Sequence, residues 1–316
     1  MAGSRVMMSG SGSSRVWVTE FQSLRKSSYL PVFRIPFLSV STAAASQLTL
    51  HPIKSEMSLC IGTHVIPHPD KIERGGEDAF FTSSFNGGAI AVADGVSGWA
   101  EQNVDPALFS RELIANASSM AEDTEVNYDP QVLLRKAHAA TTSKGSATVI
   151  VAMMQQNGIL KVANVGDCGL RVIRKGQVMF TTCPQEHYFD CPYQLSSEAT
   201  TQTYLDAVVS TVGLVEGDVI VMGSDGLFDN VYDREIVSTI GSNNDVTEAV
   251  CRLAKALARL ARDHSMDYGF DSPYSSEART KGIDVPDWKK LLGMRLTGGK
   301  VDDITVVVGK AVKLAV

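Results

Sequence analysis

ATVIVAMMQQNGILKVANVGDCGLRVIRKGQVMFT, residues 147–181, decides the fold class. It holds four runs rich in apolar and β-branched residues: Ala147–Met154, Ile159–Val165, Leu170–Arg174 and Gln177–Thr181. Val, Ile and Thr suit the pleated, half-buried surface of a strand. Asn157-Gly158 and Lys175-Gly176 each separate two runs, and such dipeptides supply the tight turn of an antiparallel hairpin. Working outward, strands are expected at Leu59–Ile66, Ala89–Ala93, Asp218–Met222 and Ile304–Val312. Helices are expected at Asp105–Asp123, Pro130–Thr142, Asp233–Ile240 and Val246–His264. Asp105 and Asp129 each precede a Pro, the arrangement of a capped helix start. Val250, Leu253, Ala254, Leu257 and Leu260 recur at helical spacing. Clustered hairpins with a few long helices define an α+β fold with antiparallel sheets. Residues 182–216 and 264–300 read as irregular, functional loops.

The 316 residues are 44% hydrophobic and 20% charged, ordinary for a globular chain able to bury a large core. No apolar run approaches the ~18–20 residues of a membrane-spanning helix. Charge is uneven. Residues 1–50 hold Arg5, Arg15, Arg25, Lys26 and Arg34 against Glu20 alone, a net of +4; the whole chain is −6, so residues 51–316 carry −10. An acidic body excludes non-specific nucleic-acid binding. The Ser-rich, acid-poor first 50 residues read as an organellar transit peptide, chloroplast rather than mitochondrial, against the plainer reading of a disordered tail. Residues 51–316 then form a single domain. The five cysteines include no Cys-x-x-Cys pair, which argues against a disulfide framework or zinc site.

Five short acidic motifs carry the chemistry: Gly-Glu-Asp at Gly76–Asp78, Ala-Asp-Gly at Ala93–Gly95, Val-Gly-Asp at Val165–Asp167, Ser-Asp-Gly-Leu-Phe-Asp at Ser224–Asp229 and Asp-Asp-Ile-Thr at Asp302–Thr305. One Asp-Gly is an ordinary turn signal. Four of the five abut an apolar run, and strands that start or stop at carboxylates can gather them at one end of a sheet. Clustered carboxylates repel one another and are stable together mainly around a cation. Oxygen donors suit Mg²⁺ or Mn²⁺.

In this order the motifs resemble the metal-dependent type 2C Ser/Thr protein phosphatases, over about Leu59 to Val312. The segment Ala93–Trp99 (ADGVSGW) points to the compact organellar branch, and His68–Phe81 and Gln185–Ser197 are similar to its chloroplast members that act on photosystem II core subunits. The resemblance implies a four-layer αββα sandwich, with two central antiparallel β-sheets flanked by helices. It implies two core Mn²⁺ or Mg²⁺ ions and a third, weaker one. Asp78 would bind one ion, with Glu77 reaching it through water. Asp94 would bridge two ions, and the Gly95 carbonyl would bind one of them. Asp225 and Asp302 would complete the other shell, while Asp167 and Asp229, with Asp225, would form the third site. Two cations roughly 3.5–4 Å apart activate a water for in-line attack on phosphorus. The implied substrates are phosphothreonines and phosphoserines on photosystem II core subunits. A monomeric chloroplast stromal enzyme would reach them by peripheral contact with the thylakoid, without a membrane span. A mitochondrial phosphatase of the same family is the alternative.

Two positions depart from the family pattern. Val96 stands where a His usually follows the bridging Asp and its Gly. Glu73 stands where a phosphate-binding Arg is usual, five residues before Asp78; Arg74 is the expected substitute and Lys71 the alternative. A haloacid-dehalogenase-type phosphatase is excluded because Gly223 stands where its nucleophilic Asp would be. A binding-only pseudophosphatase is disfavoured because every metal carboxylate is present.

Overall fold

Alternation along the strands sorts side chains into three cores, and the cores define the layers. A computed structural model describes residues 56–198, 202–241 and 247–314. The expected transit peptide lies outside the described residues. The strands are β1 (Glu56–Ile66), β2 (Ala79–Ser83), β3 (Ala89–Gly95), β4 (Ser146–Met154), β5 (Ile159–Val165), β6 (Gly169–Arg174), β7 (Gln177–Thr181), β8 (Glu186–Tyr188), β9 (Cys191–Pro192), β10 (Leu195–Ser196), β11 (Val208–Gly213), β12 (Val219–Gly223) and β13 (Ile304–Leu314). The helices are α1 (Ala107–Met120), α2 (Pro130–Ala140), α3 (Asp225–Phe228), α4 (Asp233–Gly241), α5 (Thr247–Ser265), α6 (Pro273–Thr280) and α7 (Asp287–Lys290).

One sheet runs β1-β13-β12-β6-β7 and the other β11-β5-β4-β3-β2, with β10 beside the start of β4. The neighbours in both sheets pair antiparallel. Both expected hairpins form, β4 on β5 and β6 on β7. Lys175 and Gly176 both take positive φ (51° and 75°), as a type I′ turn requires. Between the two hairpins, Gly166-Asp167-Cys168 carries the chain from one sheet to the other.

Ile90, Val92, Ile150, Leu160, Leu170, Ile220, Met222 and Val307 fill the space between the sheets. Ala91 and Ala93, on the opposite face of β3, pack with Phe109 and Leu113 of α1 and Leu133 of α2. Val221, Val306 and Val308 pack on the other side with Leu253, Ala254 and Leu257 of α5. The layers are therefore helix, sheet, sheet, helix, the αββα sandwich that the resemblance implied. Asp129 caps α2 by accepting from Gln131 N (3.0 Å) and Val132 N (3.3 Å). Asp105 does similar work at α1, accepting from Ala107 N at 3.1 Å.

The two expected irregular loops need correction. Residues 182–216 contain β8 to β11, and β11 adds an edge strand to β5. Ser210 and Val212 are half-buried on its inner face while Val209 and Thr211 are exposed, so the inward positions do not differ from the outward ones in residue type and the sequence lacks the polar-apolar alternation that marks a strand. Residues 264–300 contain α6, capped by Ser272 Oγ accepting from Ser275 N (3.1 Å), and the short α7. β2 was hidden beside the Gly-Glu-Asp motif as only five residues, of which Phe80 faces outward.

Candidate metal centre

Antiparallel register brings the acidic motifs to one end of the sandwich. In the first sheet, Gly223 at the end of β12 lies opposite Gly169 at the start of β6 and near the start of β13, with Val306 as its partner. Asp225 and Asp302 therefore flank neighbouring strand ends. In the second sheet, Ala79 at the start of β2 pairs Ala93 near the end of β3, and Val165 at the end of β5 pairs Val149 near the start of β4. Asp78, Asp94 and Asp167 follow from that register. Asp94, Gly95, Val96, Ser97, Asp167, Asp225, Lys300 and Asp302 line one cleft of about 270 Å³. Asp229 lines an adjoining pocket that shares Asp167, Asp190 and Asp225 with it.

Bonds between distant segments lock the walls. Ser224 Oγ donates to Asp78 Oδ2 (2.8 Å) and accepts from Thr305 N (3.1 Å), linking the two sheets. Asp303 is buried; it accepts from Glu77 N (2.8 Å) and His68 N (2.7 Å), which pins the segment before β2 onto the start of β13. The glycines of two motifs permit this approach. A Cβ on Gly226 would lie 2.0 Å from the Asp303 carbonyl oxygen, and one on Gly76 would lie 2.5 Å from Asp303 Oδ1. Gly76 also holds φ +80°, which L side chains rarely adopt.

The carboxylates are strongly perturbed. Burial, then the charges of Asp78, Asp225, Asp302 and Asp167, push Asp94 well above the usual range. Burial and the charge of Asp303 do the same to Asp78. Burial and Asp225 push both Asp167 and Asp302 to about 7. Asp229 rises through burial despite the opposing charge of Lys300. Asp225 goes the other way: burial would raise it, but the charge and hydrogen bond of Lys300 hold it below the ordinary value. Burial works against the charge on Lys300 too, and Asp225, Asp229 and Asp302 overcome it, so the ammonium stays protonated.

This donor set fits a hard divalent cation. Asp78 Oδ1 and Asp225 Oδ1, on opposite sheets, are buried with no hydrogen-bond donor in bonding geometry; the Thr305 hydroxyl lies near Asp78, and the Asp94 carboxyl lies near Asp225 and can donate only while it keeps its proton. An unpaired buried carboxylate oxygen is costly, and a divalent ion satisfies several at once. Among the described residues no three side chains already stand close enough to hold an ion, as expected of like charges without one. Cys168 is no soft ligand or nucleophile: burial and the charges of Asp94 and Asp167 push its thiol far up.

The structure thus brings Asp94, Gly95, Asp167, Asp225, Asp229 and Asp302 to the cleft and its adjoining pocket, with Asp78 buried nearby on Ser224. It corrects the expectation for Arg74. Gly75, in the left-handed conformation, ends the 3-10 helix Pro69–Arg74 and leaves Arg74 exposed, its carbonyl accepting from Arg111 (2.7 Å). Lys71 faces inward instead. Its Nζ donates to Glu77 Oε2 (2.6 Å) and Ser97 Oγ (3.0 Å), and Ser97 Oγ donates to the same Glu77 oxygen (2.5 Å). Burial would lower the Lys71 pKa, but the bond to Glu77 and the charge of Asp303 raise it. Lys300, Ser224 and Asp303 were not expected at the site. Lys300 was visible two residues before Asp302, but nothing in its neighbours along the chain points to the carboxylates it meets.

The chain belongs to the protein phosphatase 2C family. It is 68% identical over 261 residues to the probable protein phosphatase 2C 1 of Oryza sativa subsp. japonica, covering 83% of this chain and 78% of that one. It is 63% identical over 263 residues to the probable protein phosphatase 2C 26 of Arabidopsis thaliana, covering 83% and 87%. Within the family it is similar to the photosystem II phosphatase PBCP, whose X-ray structure matches with a TM-score of 0.77 and 67% identity, over 80% of this chain and 98% of that one. The catalytic domain of the phosphatase PstP, solved with two manganese ions, shares the fold at a TM-score of 0.54 and 17% identity, over 81% of this chain and 99% of that one. No protein-family model matches the chain.

A raised carboxyl pKa destabilises the folded, metal-free protein as pH climbs. The unfolded group ionises near 4, while the folded Asp167 keeps its proton to about 7. Stability from this group is therefore lost between about pH 4 and 7. Asp167→Asn in EDTA is expected to melt at the wild-type temperature at pH 4 and above it at pH 8. Thermal melts across that range check this; a difference independent of pH contradicts it.

Proposed function

We propose that the chain hydrolyses phosphothreonine and phosphoserine in proteins around two divalent cations, Mn²⁺ or Mg²⁺. The observation that carries the reading is the convergence of Asp94, Asp167, Asp225 and Asp302 from both sheets on one cleft, with buried oxygens of Asp78 and Asp225 left without a hydrogen-bond partner. Asp78, Asp94, the Gly95 carbonyl, Asp225 and Asp302 would hold the core ions, with Glu77 behind them and Asp167 and Asp229 at the looser edge. Bound there, the ions would supply an acidified water and neutralise the phosphoryl oxygens. Lys71 is held charged beside Ser97 at the cleft wall, placed to receive a phosphoryl oxygen where the family's arginine is missing. Val96 lines the cleft and has no proton to give, so the leaving group is not protonated from that position.

Similarity to a photosystem II phosphatase supports phosphothreonines on photosystem II core subunits as the substrates, in the chloroplast, at the stromal face of the thylakoid. Among the described residues no helix is long and apolar enough to cross a membrane, so contact with the thylakoid is read as peripheral. Trp288, Leu291 and Leu292 are 61%, 88% and 71% exposed, next to Lys289 and Lys290, on a body that is otherwise acidic. Lys290 is already paired with Asp284 (3.7 Å) and Asp287 (3.6 Å), so the attraction is apolar: exposed Trp and Leu side chains suit a lipid interface, and we assign the docking contact to this segment.

On a phosphothreonine peptide, activity is expected with Mn²⁺, to vanish in EDTA, and to fall at least about 100-fold in Asp225→Asn. Turnover that survives chelation overturns the reading. In the same assay Lys71→Met is expected to raise KM about tenfold or more, whereas Arg74→Ala stays within about twofold. Equal effects would reject the assignment of Lys71. On phosphorylated thylakoids the protein is expected to clear photosystem II core phosphothreonines. Leu291→Ser with Leu292→Ser should slow that clearance and leave peptide turnover unchanged. Untouched core subunits remove the substrate assignment, and an unslowed double variant removes the docking contact.

A further inference from the structure

Lys300 stands where the outer carboxylates converge. Its Nζ lies 2.5 Å from Asp225 Oδ2, 3.2 Å from Asp229 Oδ2, 3.2 Å from Asp190 Oδ1 and 3.7 Å from Asp302 Oδ2. The root of the side chain is fixed. Asn230, fully buried, accepts from Lys300 N (2.9 Å) and donates to the Lys300 carbonyl (2.8 Å). Gly299 sits so tightly on the end of α5 that a Cβ there would lie 2.3 Å from the His264 carbonyl oxygen. Tyr274 closes the far side: the ammonium lies 5.5 Å from its ring centroid, and its hydroxyl donates to Asp190 Oδ2 (3.2 Å).

Asp225 is divided between two uses. Oδ2 holds Lys300, while Oδ1 is buried and unpaired. An inner cation can take Oδ1 with Lys300 in place. An ion between Asp225 and Asp229 meets a positive charge already there, and like charges a few ångströms apart in a half-buried site repel strongly.

We propose that Lys300 is the resident cation of the outer carboxylate site, tethered to the chain, and that it keeps a third divalent ion out. The inference rests on the two-ion reading above. It makes the number of ions a property of one side chain: two while Lys300 is present, three once its charge is removed.

Titration of the full chain with Mn²⁺, with free ion read by its electron paramagnetic resonance signal, tests this without a turnover assay. Wild type and Lys300→Arg are expected to take up two ions. Lys300→Met is expected to take up a third, or to bind it at least about tenfold tighter than wild type. Adding Asp229→Asn to Lys300→Met should abolish the gain. Thermal melts of Lys300→Met in EDTA and in Mn²⁺ serve as the second measurement: a lower melting point in EDTA and a larger rise on adding Mn²⁺ than in wild type are expected. A third ion bound equally by wild type and Lys300→Met, or equal melting gains, overturns the role of Lys300. A wild type that takes up no Mn²⁺ counts against the two-ion reading instead.

Discussion

Repulsion among carboxylates is the constraint to which the functional end of this sandwich answers. Asp78, Asp94, Asp167, Asp225, Asp229 and Asp302 enter one region from both sheets. Each ionised carboxylate taken out of water costs several kcal/mol even after relaxation, and a domain of this kind has only about 5–15 kcal/mol of net stability. Six charged groups are untenable there without compensation. The protein compensates in two ways. Most of the group keep protons well above the usual pH. Asp225 stays ionised, because Lys300 is bonded to it.

The same constraint explains the uncharged parts of the site. A carboxylate held against its neighbours needs a rigid wall, and the wall is backbone locked to backbone. Ser224 ties Asp78 to β13, and Asp303 ties Glu77 and His68 to the same strand start. Gly226 and Gly76 are required because these segments touch with no space for a methyl group.

What could be read in advance follows the reach of each interaction. Hairpins at Asn157-Gly158 and Lys175-Gly176 are local, and both formed. The carboxylates gathered at the cleft were legible because each adjoins a strand whose own residues announce it. Lys300, Ser224 and Asp303 act across 75, 146 and 226 residues, on Asp225, Asp78 and Glu77, and nothing near them in the chain signals those partners. Arg74 and Lys71 show the limit of counting along a chain. Both lie within one 3-10 helix, yet Lys71 reaches Glu77 and Ser97 while Arg74 is exposed. β11 carries no polar-apolar alternation in its sequence, because its inward side is only half-buried and accepts Ser210 as well as Val212.

The chain crosses from one sheet to the other at Gly166-Asp167-Cys168, and the carboxylates at the cleft come from both. An ion that engages Asp78 and Asp225 together is therefore a removable cross-link between the two halves of the molecule. A ligand that binds only the folded state shifts the folding balance in proportion to its concentration. Where the proposed ions bind, divalent cations in the surrounding fluid would govern how long each copy survives proteolysis as well as how fast it works. A compartment that draws down its free cation would shorten the life of this protein while slowing it.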